Sequence, residues 1–95
     1  MPSYLYKHLF VDGSADDVLL LGYRLELTPA ERKIVTLIAE NGRIGTGGLC
    51  SALGGNITRG NVAVHICSIN KKAAEISGRK LIGFGSRCYY FNEYM

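Results

Sequence analysis

One stretch of the sequence constrains the fold more than any other, namely "LTPAERKIVTLIAENG" at residues 27–42. Thr28 suits a helix N-cap, Pro29 suits the first helical position, and Glu31 is placed to complete a capping box. Apolar residues then recur at helical spacing, and a closing Asn-Gly pair gives a stop signal. The stretch therefore predicts a helix that buries one face against the rest of the chain.

Two apolar and aromatic segments precede this helix, "YLYKHLFVDG" and "DVLLLGYRLEL". Breaks at Gly13 and Gly22 divide them into short runs rich in strand-forming residues. We predict three strands of a small antiparallel sheet, with Gly22 in a hairpin turn.

A second helix is predicted for "TGGLCSAL", with Thr46 as its N-cap and with Leu49 and Leu53 turned inward. Gly47 and Gly48 each weaken this helix by about 1 kcal/mol relative to alanine. The second helix therefore depends on packing against its neighbours.

A third helix is predicted for "NVAVHICSINKKAAEI" at residues 61–76, where apolar residues recur at i, i+4, i+7, i+11 and i+14. The stripe consists of Val62, Ile66, Ile69, Ala73 and Ile76. The opposite face carries few charges.

Two strand-like runs follow, "KLIGFG" and "CYYFNEY", and they predict a hairpin joined near residues 85–87.

The order of these elements predicts an α+β fold, a winged helix-turn-helix with an N-terminal antiparallel sheet, three helices and a C-terminal β-hairpin wing. A chain of 95 residues has room for one domain. We place the sheet at residues 1–27, the three helices at 28–77 and the wing at 78–95.

Charge and cysteine content narrow the functional classes. Residues 1–58 carry five basic and six acidic residues, whereas residues 59–95 carry six and two. Three cysteines at spacings of 17 and 21 fit neither a disulfide framework nor paired zinc ligands, so we expect reduced, structural thiols. No run approaches the roughly 20 apolar residues of a membrane span, and no secretory signal begins the chain. The sequence predicts a cytoplasmic protein without a membrane partner.

Three motifs resemble a known family in their order and spacing. "LTPAE" opens the first helix, "VAVHI" lies inside the third, and "YYF" stands near the C-terminus. Together they resemble the C-terminal effector domain of OmpR/PhoB-type response regulators, which typically reads LTxxE, VDVHIxxLRxK and TVRGxGYxF. The resemblance covers nearly the whole chain, including the N-terminal sheet.

The resemblance implies a bacterial two-component regulator of transcription that binds double-stranded promoter DNA. It implies a third helix in the major groove, a wing on the backbone or in the minor groove, homodimers on direct-repeat half-sites, and contact with RNA polymerase. The chain departs from the family pattern where arginines are usual. Gly60 and Asn61 follow Arg59, Asn70 replaces the arginine of LRxK, and Gly85 replaces the arginine of the wing.

Helical spacing selects the candidate DNA-binding residues. Residues near the start of a recognition helix reach base edges, and those farther along meet phosphates. We predict base contacts by Asn61, Val64 and Ser68, and backbone contacts by His65, Lys71 and Lys72. The remaining predicted DNA-binding residues are Arg59, Arg87 and Tyr89. Because asparagine pairs with adenine and a valine methyl covers a thymine methyl, we expect an A/T-containing half-site.

Each of these residues also has a plainer interpretation. Lys71 and Lys72 are typical of a solvated helix face, and His65 of a surface or structural histidine. Arg87 either contacts the minor groove or a phosphate, or it is an ordinary turn residue. Tyr89 either packs in the core or donates a hydrogen bond to the DNA backbone. Arg79 and Lys80 supply general positive charge.

Catalysis is not predicted. Cys67 and His65 are two residues apart and do not face each other on a helix, so they do not form a nucleophile and base. The glycine-rich "GRIGTGG" and "GFGS" lack a Walker lysine and a dinucleotide fingerprint, so no cofactor is expected. The rival interpretation is a winged helix that binds a protein or dimerises, because Val64 and Cys67 place apolar groups beside the exposed face of the third helix.

Overall fold

The computed structural model describes residues 3–6, 8–13, 17–54 and 57–92 of the chain. The fold is α+β, with a four-stranded antiparallel sheet, three helices and a C-terminal hairpin in the predicted order. Within the described residues, no helix is both long enough and apolar enough to cross a membrane.

The N-terminal sheet contains four strands in the order β1-β2-β3-β4, all antiparallel. They are β1 Tyr4–Tyr6, β2 Leu9–Asp12, β3 Asp17–Leu20 and β4 Tyr23–Arg24. The prediction of three strands was wrong, because the chain reverses between Tyr6 and Leu9 where the sequence has no glycine or proline. The predicted turn at Gly22 is confirmed: Leu21 and Gly22 have φ of 53° and 81°.

Helix α1 spans Pro29–Asn41 and begins and ends as predicted. The Thr28 hydroxyl accepts a hydrogen bond from the Glu31 amide at 3.2 Å, and the Thr28 amide donates to Glu31 Oε1 at 2.9 Å. Gly42, at φ 77°, closes the helix. The capping box predicted from the sequence is therefore confirmed.

The segment after α1 differs from the prediction in two ways. Strand β5, Arg43–Gly45, was not predicted, and it pairs antiparallel with the last strand of the chain. Helix α2 spans Thr46–Leu53 as predicted, but the predicted Thr46 cap was wrong because Thr46 is already helical. Gly45 takes the N-cap position, and it has no side chain with which to accept a hydrogen bond.

Helix α3 and the wing complete the fold. Helix α3 spans Arg59–Ser77, capped by the Thr58 hydroxyl at its start and closed by Gly78 at its end. Strands β6 Ile82–Gly85 and β7 Cys88–Phe91 form the predicted hairpin, and β5 joins it in the order β5-β7-β6. The predicted strand-like run continues to residue 94, and its residues 93–94 lie outside the described part of the chain.

The core lies between the inner face of the N-terminal sheet and the three helices. Alternation along β2 and β3 turns every second residue inward, and the predicted stripe of α3 faces the same interior. The most buried residues of this core are Leu9, Leu20, Ile34, Ile38, Leu49, Ile69 and Leu81. This packing fixes which side of α3 remains outside.

Candidate nucleic-acid interface

The exposed side of α3 is narrower than helical spacing alone predicts. Asn61, Val64, Cys67, Lys71 and Glu75 are all exposed on it. Val64 retains 67% of its surface, although it is apolar. Cys67 is exposed, so its predicted structural role was wrong. It is unpaired, as are Cys50 and Cys88.

Ser68 and Lys72 do not belong to this exposed side. Both side chains bind the carboxylate of Glu31, at the start of α1. Lys72 Nζ lies 2.6 Å from Glu31 Oε1, and Glu31 is 2% exposed. The prediction had placed Ser68 opposite the apolar stripe and Lys72 on its flank. Helical spacing did not reveal that Glu31 of α1 binds both side chains on this part of the helix.

The environment of Glu31 holds the carboxylate ionised. Burial by itself raises the pKa of this group, but the hydrogen bonds from Lys72, Ser68 and the Thr28 amide, together with the Lys72 charge, outweigh burial. The pKa of Glu31 falls to about 2. Lys72 is therefore engaged in an ion pair that links α1 to α3.

The remaining predicted residues of α3 stand at its start and on its flank. Arg59 is exposed in the first turn, and His65 is half-buried. The Asn61 amide donates to the Thr58 hydroxyl at 3.2 Å, so its backbone is fixed by the cap while its side chain remains exposed.

The wing presents Arg87 at its turn. Ser86 and Arg87 have φ of 52° and 63°, a left-handed conformation that hairpin turns usually assign to glycine or asparagine. Both residues are exposed. Tyr89 is half-buried against the core, and its ring lies 4.7 Å from that of Phe84. Tyr89 therefore packs against the core, and its hydrogen bond to the DNA backbone stays a prediction.

Asn70 connects α3 to the wing. Its side-chain amide donates to the Ile82 carbonyl at 3.0 Å, and its side-chain oxygen accepts from the Ile82 amide at 2.7 Å. The two bonds hold the first residue of β6 against the middle of α3. Asn70 thus fixes the start of the wing relative to the helix.

Two clefts flank the exposed side of α3. The larger, of about 580 Å³, lies between the start of α2, the start of α3 and the wing, and is lined by Gly45, Thr46, Gly47, Arg59, Phe84 and Arg87. The smaller, of about 250 Å³, is lined by Cys67, Asn70, Lys71, Ala74 and Lys80. Each brings together two basic residues that are distant in the sequence.

Sequence reasoning missed the contribution of α2 and of Phe84 to the larger cleft. The glycine-rich run "GRIGTGG" at residues 42–48 has no Walker lysine, so the sequence indicates no site there. Lys80 was predicted only as general charge, because nothing local places it beside Lys71.

Three helices with an N-terminal sheet and a C-terminal hairpin define a winged-helix fold. No family model matches the chain, and no curated protein matches it. Among solved structures, the crystal structure of the response regulator AdeR DNA binding domain in complex with an intercistronic region is similar, with a TM-score of 0.76 and 24% identity. The match covers 93% of this chain and 96% of that chain. At this identity the likeness shows the fold, and it confirms the predicted winged-helix architecture.

Proposed function

We propose that this chain is the sequence-specific DNA-binding domain of a bacterial transcription regulator of the response-regulator type. The observation that carries the proposal is the basic character of one side of the molecule. Arg59, Lys71, Lys80 and Arg87 are all exposed there, on α3, on the wing and in the two clefts between them. The likeness to a domain that was crystallised with an intercistronic region supports the same proposal.

The start of α3 would enter the major groove. Residues near the beginning of a recognition helix reach base edges, and Asn61 and Val64 are exposed in the first two turns of α3. Asparagine forms two hydrogen bonds with adenine, and the Val64 methyls fit beside a thymine methyl. The proposal therefore keeps the A/T-containing half-site.

Backbone contacts would come from both sides of α3. Arg59 and Arg87 would contact phosphates beside the larger cleft, and Lys71 and Lys80 would contact phosphates beside the smaller one. His65 remains a predicted phosphate contact at the half-buried edge of the helix. Ser68 and Lys72 are left out of the proposed contacts because both bind Glu31.

The finer features implied by the sequence resemblance belong to the same proposal. They are binding to direct-repeat half-sites as a homodimer, contact with RNA polymerase, and a cytoplasmic location in a two-component system. Half-sites about 10 base pairs apart place successive domains on one side of the duplex.

Selection of binding sites from random DNA tests the proposal. We expect an A/T-containing motif to be enriched. Lys71→Ala should then weaken binding to the enriched duplex by about tenfold, because one phosphate contact is lost. Lys33→Ala removes an equal charge from an exposed position on α1 and serves as the control, with affinity close to that of the wild type.

A second candidate function rests on the apolar character of the exposed side of α3. Val64 and Cys67 are both exposed near its centre, and such groups also suit a protein partner. Under this alternative the selection enriches no motif. Lys71→Ala and Lys33→Ala then have equal, weak effects on non-specific DNA binding, which would contradict the first proposal.

A further inference from the structure

The two faces of the wing hairpin carry different side chains. Side chains alternate along a strand, so Phe84 and its pair Tyr89 lie on one face, and Gly83, Gly85 and Tyr90 lie on the other. Phe84 lines the larger cleft together with residues of α2 and α3. The face with the two glycines is therefore turned away from α3, and we call it the far face of the wing.

The Tyr90 ring covers the far face. A Cβ added at Gly83 would lie 3.1 Å from Cε2 of this ring, and a Cβ added at Gly85 would lie 3.3 Å from its hydroxyl oxygen. The ring therefore lies across β6 and reaches both glycines. Arg43 of β5 pairs with Tyr90, and its guanidinium carbon lies 5.7 Å from the ring centroid. This cation-π contact holds the ring from the other side of β7.

Gly85 provides space for the ring, and its backbone conformation does not require glycine. Among the described glycines, Gly85 is not one of those with positive φ. The backbone therefore accepts an L side chain at this position. The first carbon of that side chain is already in tight contact with the Tyr90 hydroxyl, so a longer side chain must displace the ring.

The proposed function places the far face beside the minor groove. Major and minor grooves alternate along the duplex, and one sugar-phosphate strand separates them. If α3 lies in the major groove, the cleft with Arg59 and Arg87 faces that strand, and the far face lies beyond it. Because the minor groove is about 7.5 Å deep, only a long side chain reaches its base edges. On β6 the far face has no such side chain, since both of its residues are glycines.

We propose that Tyr90 determines the specificity of the wing, because its ring occupies the space through which a side chain at residue 85 would enter the minor groove. The wing then contacts only the sugar-phosphate backbone, and the bases are read by α3 alone. The proposal rests on the proposed function. It also accounts for Gly85 at the position where the sequence resemblance leads us to expect an arginine.

The test changes the minor groove of the selected duplex and leaves the major groove intact. Single G·C pairs are placed in turn at each position that flanks the selected motif, and each is then changed to inosine·C. Inosine lacks the 2-amino group, which is the feature of guanine that the minor groove displays. We expect the wild-type affinity to change by less than about twofold at every position, against the roughly tenfold effect of a lost base contact.

Two double variants test whether the Tyr90 ring is the cause. Gly85→Arg/Tyr90→Ser places an arginine in the vacated space, and it should prefer inosine·C to G·C by about tenfold at a flanking position. Gly85→Arg/Tyr90→Phe keeps the ring and is the matched control, so it should show no such preference. Thermal unfolding is measured alongside. Failure of the phenylalanine variant alone to fold would support the proposal, because the ring then excludes the arginine.

The remaining outcomes separate this proposal from the proposed function. A wild-type chain whose affinity changes by about tenfold on an inosine exchange already reads the minor groove. That result would overturn the role of Tyr90 and leave DNA binding intact. An equal preference for inosine·C in the two double variants would show that the ring does not restrict residue 85. A wild-type chain that binds no duplex would overturn both proposals.

Discussion

Glu31 joins the start of α1 to the middle of α3. Its backbone and side chain complete the capping box with Thr28, and its carboxylate also binds Lys72 at 2.6 Å. The first role could be predicted because the two residues are three positions apart in the sequence. The second could not, because Lys72 is 41 positions away and only the packed fold brings it close.

Glu31→Gln should lower the free energy of unfolding and flatten its dependence on pH. Because the pKa of Glu31 is about 2 in the folded chain, its stabilising effect is complete above its ordinary value of 4.5 and is lost as the pH falls toward 2. At about 1.4 kcal/mol for each pH unit between those values, the wild type gains at most about 3 kcal/mol at neutral pH. Urea unfolding between pH 2 and pH 7 measures the difference between the two chains.

The control for this prediction is Glu40→Gln, which changes an exposed carboxylate of the same helix. We expect that variant to stay within about 0.5 kcal/mol of the wild type. A difference between wild type and Glu31→Gln that does not shrink below pH 4.5 would contradict the role given to the ionised carboxylate.

The exposed side of α3 illustrates what residue patterns can and cannot predict about the site. The inward stripe was predicted from spacing. Four of its five members, Val62, Ile66, Ile69 and Ala73, are buried, and Ile76 is half-buried against the core. The outward residues were predicted less well, since spacing treats everything opposite the stripe as exposed. Helix α1 covers Ser68 and Lys72, and that coverage depends on how two helices cross.

At the scale of elements, the side chain of Asn70 joins the wing to α3 by hydrogen bonds, in addition to the packing of Leu81 and Ile82 in the common core. Asn70 makes two hydrogen bonds with the backbone of Ile82, at 3.0 Å and 2.7 Å. The contact binds the first residue of β6, so it sets where the wing begins relative to the helix. A wing displaced from this position would separate Arg87 from Arg59.

Asn70→Ala should destabilise the chain by about 1 to 3 kcal/mol, because the backbone N–H and C=O of the buried Ile82 lose their partners. It should also speed hydrogen exchange at the Ile82 amide more than at other amides of β6. Asn41→Ala is the matched control, since Asn41 donates one exposed bond to the Leu37 carbonyl within its own helix. Unchanged hydrogen exchange at the Ile82 amide would show that the Asn70 side chain does not hold the wing.

The helices and the wing hairpin were predicted because their sequence signals lie within each element. Strand β5 was not predicted, because it forms only by pairing with a strand that is distant in the sequence. Caps and apolar periodicity located α1 and α3, and alternating runs located the wing hairpin. Strand β5 has only three residues, the last of which is Gly45, and its partner β7 begins 43 positions after β5 ends. The turn of β6 and β7 uses Ser86 and Arg87 at positive φ, where the usual signal is Asn-Gly. Neither feature can be read from a short window.

At the scale of the whole molecule, the fold places basic residues from separate elements beside α3. The acidic excess of residues 1–58 and the basic excess of residues 59–95 were visible in the sequence. The structure narrows that observation to four exposed basic residues at the two clefts beside α3: Arg59, Lys71, Lys80 and Arg87. A long-range field from this side would bring DNA to the helix and wing before any base is contacted.

The number of phosphate contacts can be measured from the salt dependence of DNA binding. Contacts by Arg59, Lys71, Lys80 and Arg87, each with its own phosphate and counted without His65, predict a slope of about −3.6 in log affinity against log salt concentration, or a loss of about a hundredfold between 50 and 200 mM salt. Lys71→Gln should reduce the size of the slope by about 0.9. Lys72→Gln should leave the slope unchanged while it destabilises the fold, because this lysine binds Glu31. Equal slopes for Lys71→Gln and the wild type, or a reduced slope for folded Lys72→Gln, would reverse the assignment of these two lysines.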